Sequence, residues 1–339
     1  MNRRIFLLAG SSAACSRDHR PRLNVFNWSN YIARNTIADF ERERGVRVRY
    51  ALYESNEEML AKVMTGNSGW DVVFPTHSRI RPMVRNGLLA PLDHALLPNL
   101  RNLEETFQQP SWDPRLQHSV PYMWNVTGIV YNRASGAAPD SWADLWNPRW
   151  HGKLTMLDDA EDVLGACLQK LGLPFDSTDA GELERAKREA VAQKRNVRAY
   201  LNAEVRDQLV SGDVQVAQMW STTAQQAMDA SSELGFAYPR EGFPLYADNA
   251  VILRESTRRE LAHEFINYLL RPEVAAAIAT EAETATTNGA ARLLLPERVR
   301  ESPTLYPGPE VRKRGVWPRA LPGSAMRLRD RIWTEIKSA

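Results

Sequence analysis

The sequence predicts an α/β fold built as two domains, and three observations carry that prediction. The chain has 339 residues, beyond the size at which a single hydrophobic core keeps growing. Its N-terminal third alternates short apolar runs with amphipathic stretches, the rhythm of a parallel sheet covered by helices. After a long irregular segment the same rhythm restarts near Leu154. With 43% hydrophobic and 25% charged residues the composition is that of an ordinary globular chain. The formal charge is +2 and the basic residues are scattered, so no stripe invites nucleic acid. Ten tryptophans make aromatic sites worth seeking.

The first residues stand apart. Arg3-Arg4 precede the apolar run Ile5-Phe6-Leu7-Leu8, and small residues lead to Ala13-Ala14-Cys15. A charged start, a short apolar run and a small-residue cleavage site predict an export signal over residues 1–14. The run is too short to span a bilayer. The paired arginines resemble a twin-arginine export pattern. Ser12-Ala13-Ala14-Cys15 resembles a lipoprotein cleavage box with Cys15 as the lipidated residue, although Ser12 departs from the aliphatic residue usual there. A plain cleavable signal is the alternative. Loss of residues 1–14 removes two arginines and no acid, which leaves a mature chain without net formal charge. Cys167 is then the one cysteine inside the fold, in an apolar helical context that predicts an inert thiol.

Leu23 to Asn27 alternates apolar and polar residues and predicts the first strand. It stops at Trp28-Ser29-Asn30-Tyr31, where turn-forming residues lead into a helix that ends at Gly45. Val46 to Tyr53 is a second strand. Ser55-Asn56-Glu57-Glu58 is a capping-box signature opening a helix through Met59 and Val63 to near Gly66. Asp71 to Phe74 is a third strand, followed by Pro75-Thr76-His77-Ser78 and another helix. Residues 91–120 look irregular, and Val126 to Tyr131 predicts a strand leaving this domain. In the second half, Leu154 to Leu157 is a strand ending in Asp158-Asp159-Ala160-Glu161-Asp162. Helices over about Val163–Leu171 and Glu182–Gln193 follow. Val214 to Met219 is a strand ending at Trp220. Phe236 to Pro239 and Leu245 to Leu253 are strands, the latter carrying Tyr246 and Asp248. Helices over Arg258–Leu270 and Glu273–Ala282 are separated by Pro272. The Pro- and Arg-rich tail ends in a helix from about Ala325.

Several chemistries are missing from the sequence. It has no phosphate-binding P-loop, no dinucleotide glycine motif and no nucleophile elbow. His263-Glu264 fails as a zinc motif because Asn267 stands where the second histidine is required. The six histidines are scattered, so neither a metal site nor a cofactor is expected. His263 is expected on a helix surface, and His77 follows a strand end from which it could line a cleft.

What remains is a set of aromatics and carboxylates at the ends of predicted strands, where open α/β sheets bind ligands. Trp28 and Tyr31 come from the first domain; Asp159, Asp162, Trp220, Tyr246 and Asp248 come from the second. Such a set suits an organic cation, because a primary amine stays protonated at neutral pH. A carboxylate bonds it strongly, and an aromatic face adds about 0.5–2 kcal/mol when water is excluded. Core packing is the competing reading for Trp28, Tyr31 and Trp220, and simple helix capping for Asp158-Asp159. Asp248 within an apolar strand requires a partner either way. No nucleophile–base pair accompanies these groups, so binding rather than catalysis is expected.

With these residues in view, the chain resembles the periplasmic spermidine/putrescine-binding proteins of ABC importers. The likeness spans nearly the whole mature length. It rests on Phe26-Asn27-Trp28-Ser29-Asn30-Tyr31, Tyr53-Glu54-Ser55-Asn56-Glu57, Trp70-Asp71-Val72-Val73, Pro121-Tyr122-Met123-Trp124, Ser141-Trp142-Ala143-Asp144-Leu145-Trp146 and Phe265-Ile266-Asn267-Tyr268-Leu269-Leu270-Arg271-Pro272-Glu273-Val274. The resemblance implies a type II periplasmic-binding-protein fold: two α/β domains, a hinge of two or three crossing strands, and a central cleft. It places 23–125 plus 249–294 in one lobe and 126–248 plus 295–339 in the other. It implies that Trp28, Ser29, Tyr31, Thr76, Asp159, Asp162, Trp220, Tyr246 and Asp248 meet a polyamine. It also implies a monomer in the periplasm or cell envelope that delivers its ligand to an inner-membrane permease. Asn30, Ser78, Thr223, Thr284 and Pro318 depart from residues that relatives use around the cleft, which opens the identity of the polyamine. Two other classes stay open: a carrier of a different small cation or chelated metal, and a hydrolytic or sensory protein on the same scaffold.

Overall fold

A computed structural model describes residues 19–339. The export signal and Cys15 lie outside the described residues. Among the described residues eleven strands run in chain order: β1 (Arg22–Trp28), β2 (Arg47–Tyr53), β3 (Val72–Val73), β4 (Val120–Asn132), β5 (Leu154–Met156), β6 (Val197–Tyr200), β7 (Val216–Trp220), β8 (Leu234–Ala237), β9 (Phe243–Ile252), β10 (Ala285–Thr286) and β11 (Gly315–Val316). Their spatial order is β2-β1-β3-β9-β4-β7-β5-β6, with β8 and β10 also on β4 and β11 on β9. The parallel groups β2-β1-β3 and β7-β5-β6 form the two ends. The long antiparallel pair β4·β9 joins them, from Val120↔Ala250 to Val126↔Leu245. The chain thus crosses between the ends along β4 and returns along β9. It crosses again between β10, which pairs with β4 at Met123 and Trp124, and β11, which pairs with β9 at Phe243 and Pro244.

The local chemistry of the first end follows the sequence closely. Strand β1 is buried from Leu23 to Asn27 on both faces, as parallel strands covered by helices must be. Within it the Asn27 amide donates to the Tyr50 hydroxyl (2.9 Å). Helix Thr36–Arg44 stops at Gly45, which takes the left-handed conformation (φ 65°) that closes a helix. Ser55 caps helix Asn56–Val63 by accepting from the Glu58 amide (3.1 Å). Glu58 reaches back one residue further than a capping box requires, to the Glu54 amide (3.2 Å). Pro272 is the first residue of helix Pro272–Ala282, where its missing N–H costs nothing.

Four expectations are corrected. Strand β4 begins at Val120 rather than Val126. Pro121 and a register shift between it and Met123 disguise the first half of the strand. Residues 91–119 contain short helical turns rather than structureless chain. The short strands β6, β10 and β11 carry too few residues for a periodic signal and pass unnoticed in the sequence. His263 is buried, not on a helix surface: it donates to the Arg259 carbonyl (2.6 Å) and accepts from the Asp93 amide (2.9 Å). It pins the loop at Asp93 to helix Arg259–Leu269.

The C-terminal helix Gly323–Ser338 packs on helices Ala160–Lys170 and Ala180–Gln193. Arg329 is buried there and donates to the carbonyls of Phe175 (2.9 Å) and Ser177 (3.0 Å). Lys194 caps its far end by donating to the carbonyls of Ile336 (3.0 Å) and Lys337 (2.8 Å). On β4, Gly128 lets β8 approach: a Cβ there would sit 2.8 Å from the Ala237 carbonyl oxygen and 2.4 Å from the Phe236 ring. Because one of those atoms is backbone, the clash cannot be relieved by a rotamer change. Gly128→Ala is expected to cost about 1–3 kcal/mol of stability, seen as a lowered Tm in thermal unfolding; an unchanged Tm would contradict this packing.

Candidate functional site

One cavity of about 130 Å³ lies where the two ends of the sheet meet β4·β9, and all nine residues singled out above line it: Trp28, Ser29, Tyr31, Thr76, Asp159, Asp162, Trp220, Tyr246 and Asp248. Each reaches it for a local reason. Trp28 is the last residue of β1, and Asn30 turns the chain there in the left-handed region (φ 56°), which asparagine tolerates. The turn lets both Trp28 and Tyr31 face the cavity, their rings 6.5 Å apart. The Trp28 indole donates to the Phe74 carbonyl (2.8 Å), and the Tyr31 carbonyl accepts from the Tyr122 hydroxyl (2.5 Å). The Ser29 hydroxyl donates to Glu54 (2.9 Å).

Helix Asn56–Val63 begins at the cavity, and three more helices do so behind residues singled out above. Thr76 precedes helix His77–Arg85, Asp159 precedes Ala160–Lys170, and Trp220 precedes Ser221–Ala230. Asp159 accepts from the amides of Glu161 (2.8 Å) and Asp162 (2.9 Å), so it caps its helix and lines the cavity at once. The two readings of that residue are not alternatives. Asp162, in the first turn, accepts from the Trp220 indole (3.0 Å) and the Tyr246 hydroxyl (3.1 Å), which fixes both rings. Asp248 pairs across an isolated bridge with Thr76, whose hydroxyl donates to it (2.8 Å). Thr76 is held in turn by the Asn56 side-chain amide (3.0 Å).

The electrostatics follow from burial. Asp162 is 2% and Asp248 3% exposed. Desolvation pushes the Asp248 carboxyl up to about 7 against the pull of the Thr76 and Tyr31 hydroxyls. Burial, then the charge of Glu161, pushes Asp159 up to about 6. Burial and the neighbouring Asp159 raise Asp162 well above the ordinary carboxylate range. Asp248 and Asp162 are bonded only by neutral donors, so they are held ready for a positive partner. The lining contains no histidine and no cysteine. Among the described residues, no group of three or more histidine, cysteine, aspartate or glutamate side chains is placed to hold a metal ion.

His77 does not line the cavity. It is buried beneath it, donating to the Pro318 carbonyl (3.0 Å) and accepting from the Ala247 amide (3.3 Å), and desolvation lowers its pKa to about 4. Cys167 is fully buried and burial pushes its thiol up. Thr284 and Pro318 stay outside the lining; Thr284 bonds Thr222 (2.8 Å). The lining also holds residues the sequence did not single out, among them Glu54, Asn56, Arg79, Asn125, Glu161, Asn202, Thr222 and Gln226. Asn125, which donates to the Tyr31 hydroxyl (3.2 Å), was hidden in the unread half of β4. Arg79 and Glu161 sit beside residues already singled out and carry no separate signal.

A carboxylate with a raised folded-state pKa adds stability below its ordinary pKa and loses it as the pH climbs through the raised value. Asp248→Asn is therefore expected to stabilise the ligand-free protein, and more at pH 8 than at pH 5, by a difference of about 2 kcal/mol. Thermal unfolding of both proteins at the two pH values checks this; an equal or opposite effect would mean that Asp248 is solvated.

Comparisons with known proteins agree with this architecture. Residues 35–305 match the family model described as bacterial extracellular solute-binding protein. The spermidine/putrescine-binding periplasmic protein of Escherichia coli is 34% identical, over 98% of this chain and 96% of its own length. The putrescine-binding periplasmic protein of the same organism is 32% identical over the same shares. The solved structure of a spermidine/putrescine ABC transporter substrate-binding protein from Streptococcus pneumoniae superposes with a TM-score of 0.82 at 29% identity, covering 94% of this chain and 99% of that one. The fold is thus the type II periplasmic-binding-protein fold that the resemblance implied. The chain belongs to the family of bacterial extracellular solute-binding proteins.

Proposed function

We propose that this chain is the capture subunit of an ABC importer and that its ligand is a polyamine of the putrescine or spermidine kind. One observation carries the reading: two buried carboxylates, a third that is half-buried and four aromatic rings, drawn from both ends of the sheet, converge on one cavity. An alkyl diammonium is the complement of that lining. Its charged ends meet Asp248 and the Asp159–Asp162 pair, and its methylenes lie against Trp28, Tyr31, Trp220 and Tyr246. Micromolar affinity, about −8 kcal/mol, needs only a few such charge pairs and stacked faces. The names of the E. coli relatives support the same ligand class.

In this reading 23–125 plus 249–294 and 126–248 plus 295–339 are lobes that close about β4·β9. Ligand contacts from both lobes favour the closed form, which is the differential affinity that closure requires. The closed form then docks on an inner-membrane permease driven by a separate ATPase. Residues 1–14 direct export to the periplasm, Cys15 carries a lipid anchor, and the protein acts as a monomer without a cofactor or a catalytic step. Among the described residues no helix is long and apolar enough to cross a membrane.

Trp220→Ala and Asp248→Asn are each expected to weaken putrescine or spermidine binding by about tenfold or more in isothermal calorimetry, the range of one lost charge-assisted bond or stacked face. Unchanged affinity in both variants would remove the cavity as the binding site. Native mass spectrometry of the purified chain is expected to find a co-purified small amine; a bound anion or neutral sugar instead would overturn the ligand class.

A further inference from the structure

We infer that Arg79 is a specificity-determining residue that makes the cavity select a short diammonium over a longer triammonium ligand. The inference rests on the polyamine reading of the site. Arg79 is the one cation in a lining that otherwise holds acids, amides, hydroxyls and rings. It enters from helix His77–Arg85 with a side chain only 11% exposed. Its guanidinium donates to Glu57 (3.1 Å) and lies 3.7 Å from Glu161, which comes from helix Ala160–Lys170 on the other side of the cavity. Glu161 is the more buried partner, with 17% of its side chain exposed against 68% for Glu57.

The carboxylates therefore divide into two groups. Glu161 and Glu57 share the single charge of Arg79. Asp248 and Asp162 accept only from uncharged donors: the Thr76 hydroxyl for one, the Trp220 indole and the Tyr246 hydroxyl for the other. Arg79 also pulls on Asp159 through its field, without a hydrogen bond between them, so Asp248 and Asp162 hold the charge most open to a ligand. Tyr246, which holds Asp162, and Asp248 lie two residues apart on one face of β9, a step of roughly 6.6 Å. In the proposed pose a short α,ω-diammonium chain lies along this face with one charge toward Asp162 and the other toward Asp248. A third ammonium extended past Asp159 meets the Arg79 guanidinium, a like charge in a partly desolvated place. Glu54, the remaining acid of the lining, is exposed at the rim and occupied by Ser29, so water screens what it offers.

The test is a calorimetric comparison of putrescine and spermidine on the mature protein and two variants. The native chain is expected to prefer putrescine by at least tenfold. Arg79→Gln frees Glu161 and Glu57 and should shrink that preference by at least tenfold. Glu161→Gln strips Arg79 of its buried counter-charge and should widen the preference, which keeps the idea falsifiable if one variant folds poorly. Equal binding of both amines by the native chain, or a preference that neither variant moves in its stated direction, overturns the role of Arg79 and leaves the polyamine reading standing. Binding of neither amine by the native chain overturns the polyamine reading and the selection with it.

Discussion

A carboxylate withdrawn from water must find either a cation or a proton, and that constraint organises this cavity. Asp248 sits in the middle of an apolar strand with only hydroxyl donors around it. Asp159 caps the helix whose first turn holds Asp162; burial and Glu161 raise its proton affinity, and its charge in turn raises that of Asp162. The helix N-terminus favours their negative charge, worth about 0.3–1 kcal/mol in exposed settings, but burial outweighs it. The free protein is left with anionic capacity that protons only partly satisfy. A guest carrying fixed positive charges relieves the strain, and the rings pinned by Asp162 give the guest an apolar bed.

The scaffold makes this possible because the site is divided. Trp28, Tyr31 and Thr76 come from the end built on β1 and β3, whereas Asp159, Asp162 and Trp220 come from the end built on β5 and β7. Tyr246 and Asp248 lie on β9, one of the strands that belongs to both. Rotation about β4·β9 therefore changes the distance between acids and rings while leaving each helix cap intact.

Much of this was legible in the sequence. The strands that matter most, β1, β5, β7 and β9, announce themselves by alternation or by apolar runs ending in turn formers, and every aromatic and acid singled out at those ends lines one cavity. Where legibility failed, the reasons are physical. Pro121 and a bulge masked the first half of β4 and with it Asn125. Strands of two residues have no period to detect. His263 looks like a surface residue because its partners are backbone groups of Arg259 and Asp93, the latter 170 positions away. The Arg79–Glu161 pair joins helices that are distant in the chain, and only the fold brings them across the cavity.

The most direct measurement is the proton count on ligand binding. Putrescine is titrated calorimetrically at pH 7 in two buffers of different ionisation enthalpy. The amines keep their protons at this pH, so any exchange comes from the protein. With the Asp248 carboxyl at about 7, half of it is protonated in the free state, and capture of a cation should release roughly half a proton or more per ligand. Binding without proton exchange, or with uptake, would mean that the buried carboxylates already carry their full charge before the guest arrives, and that relief of a protonated, desolvated acid does not drive capture.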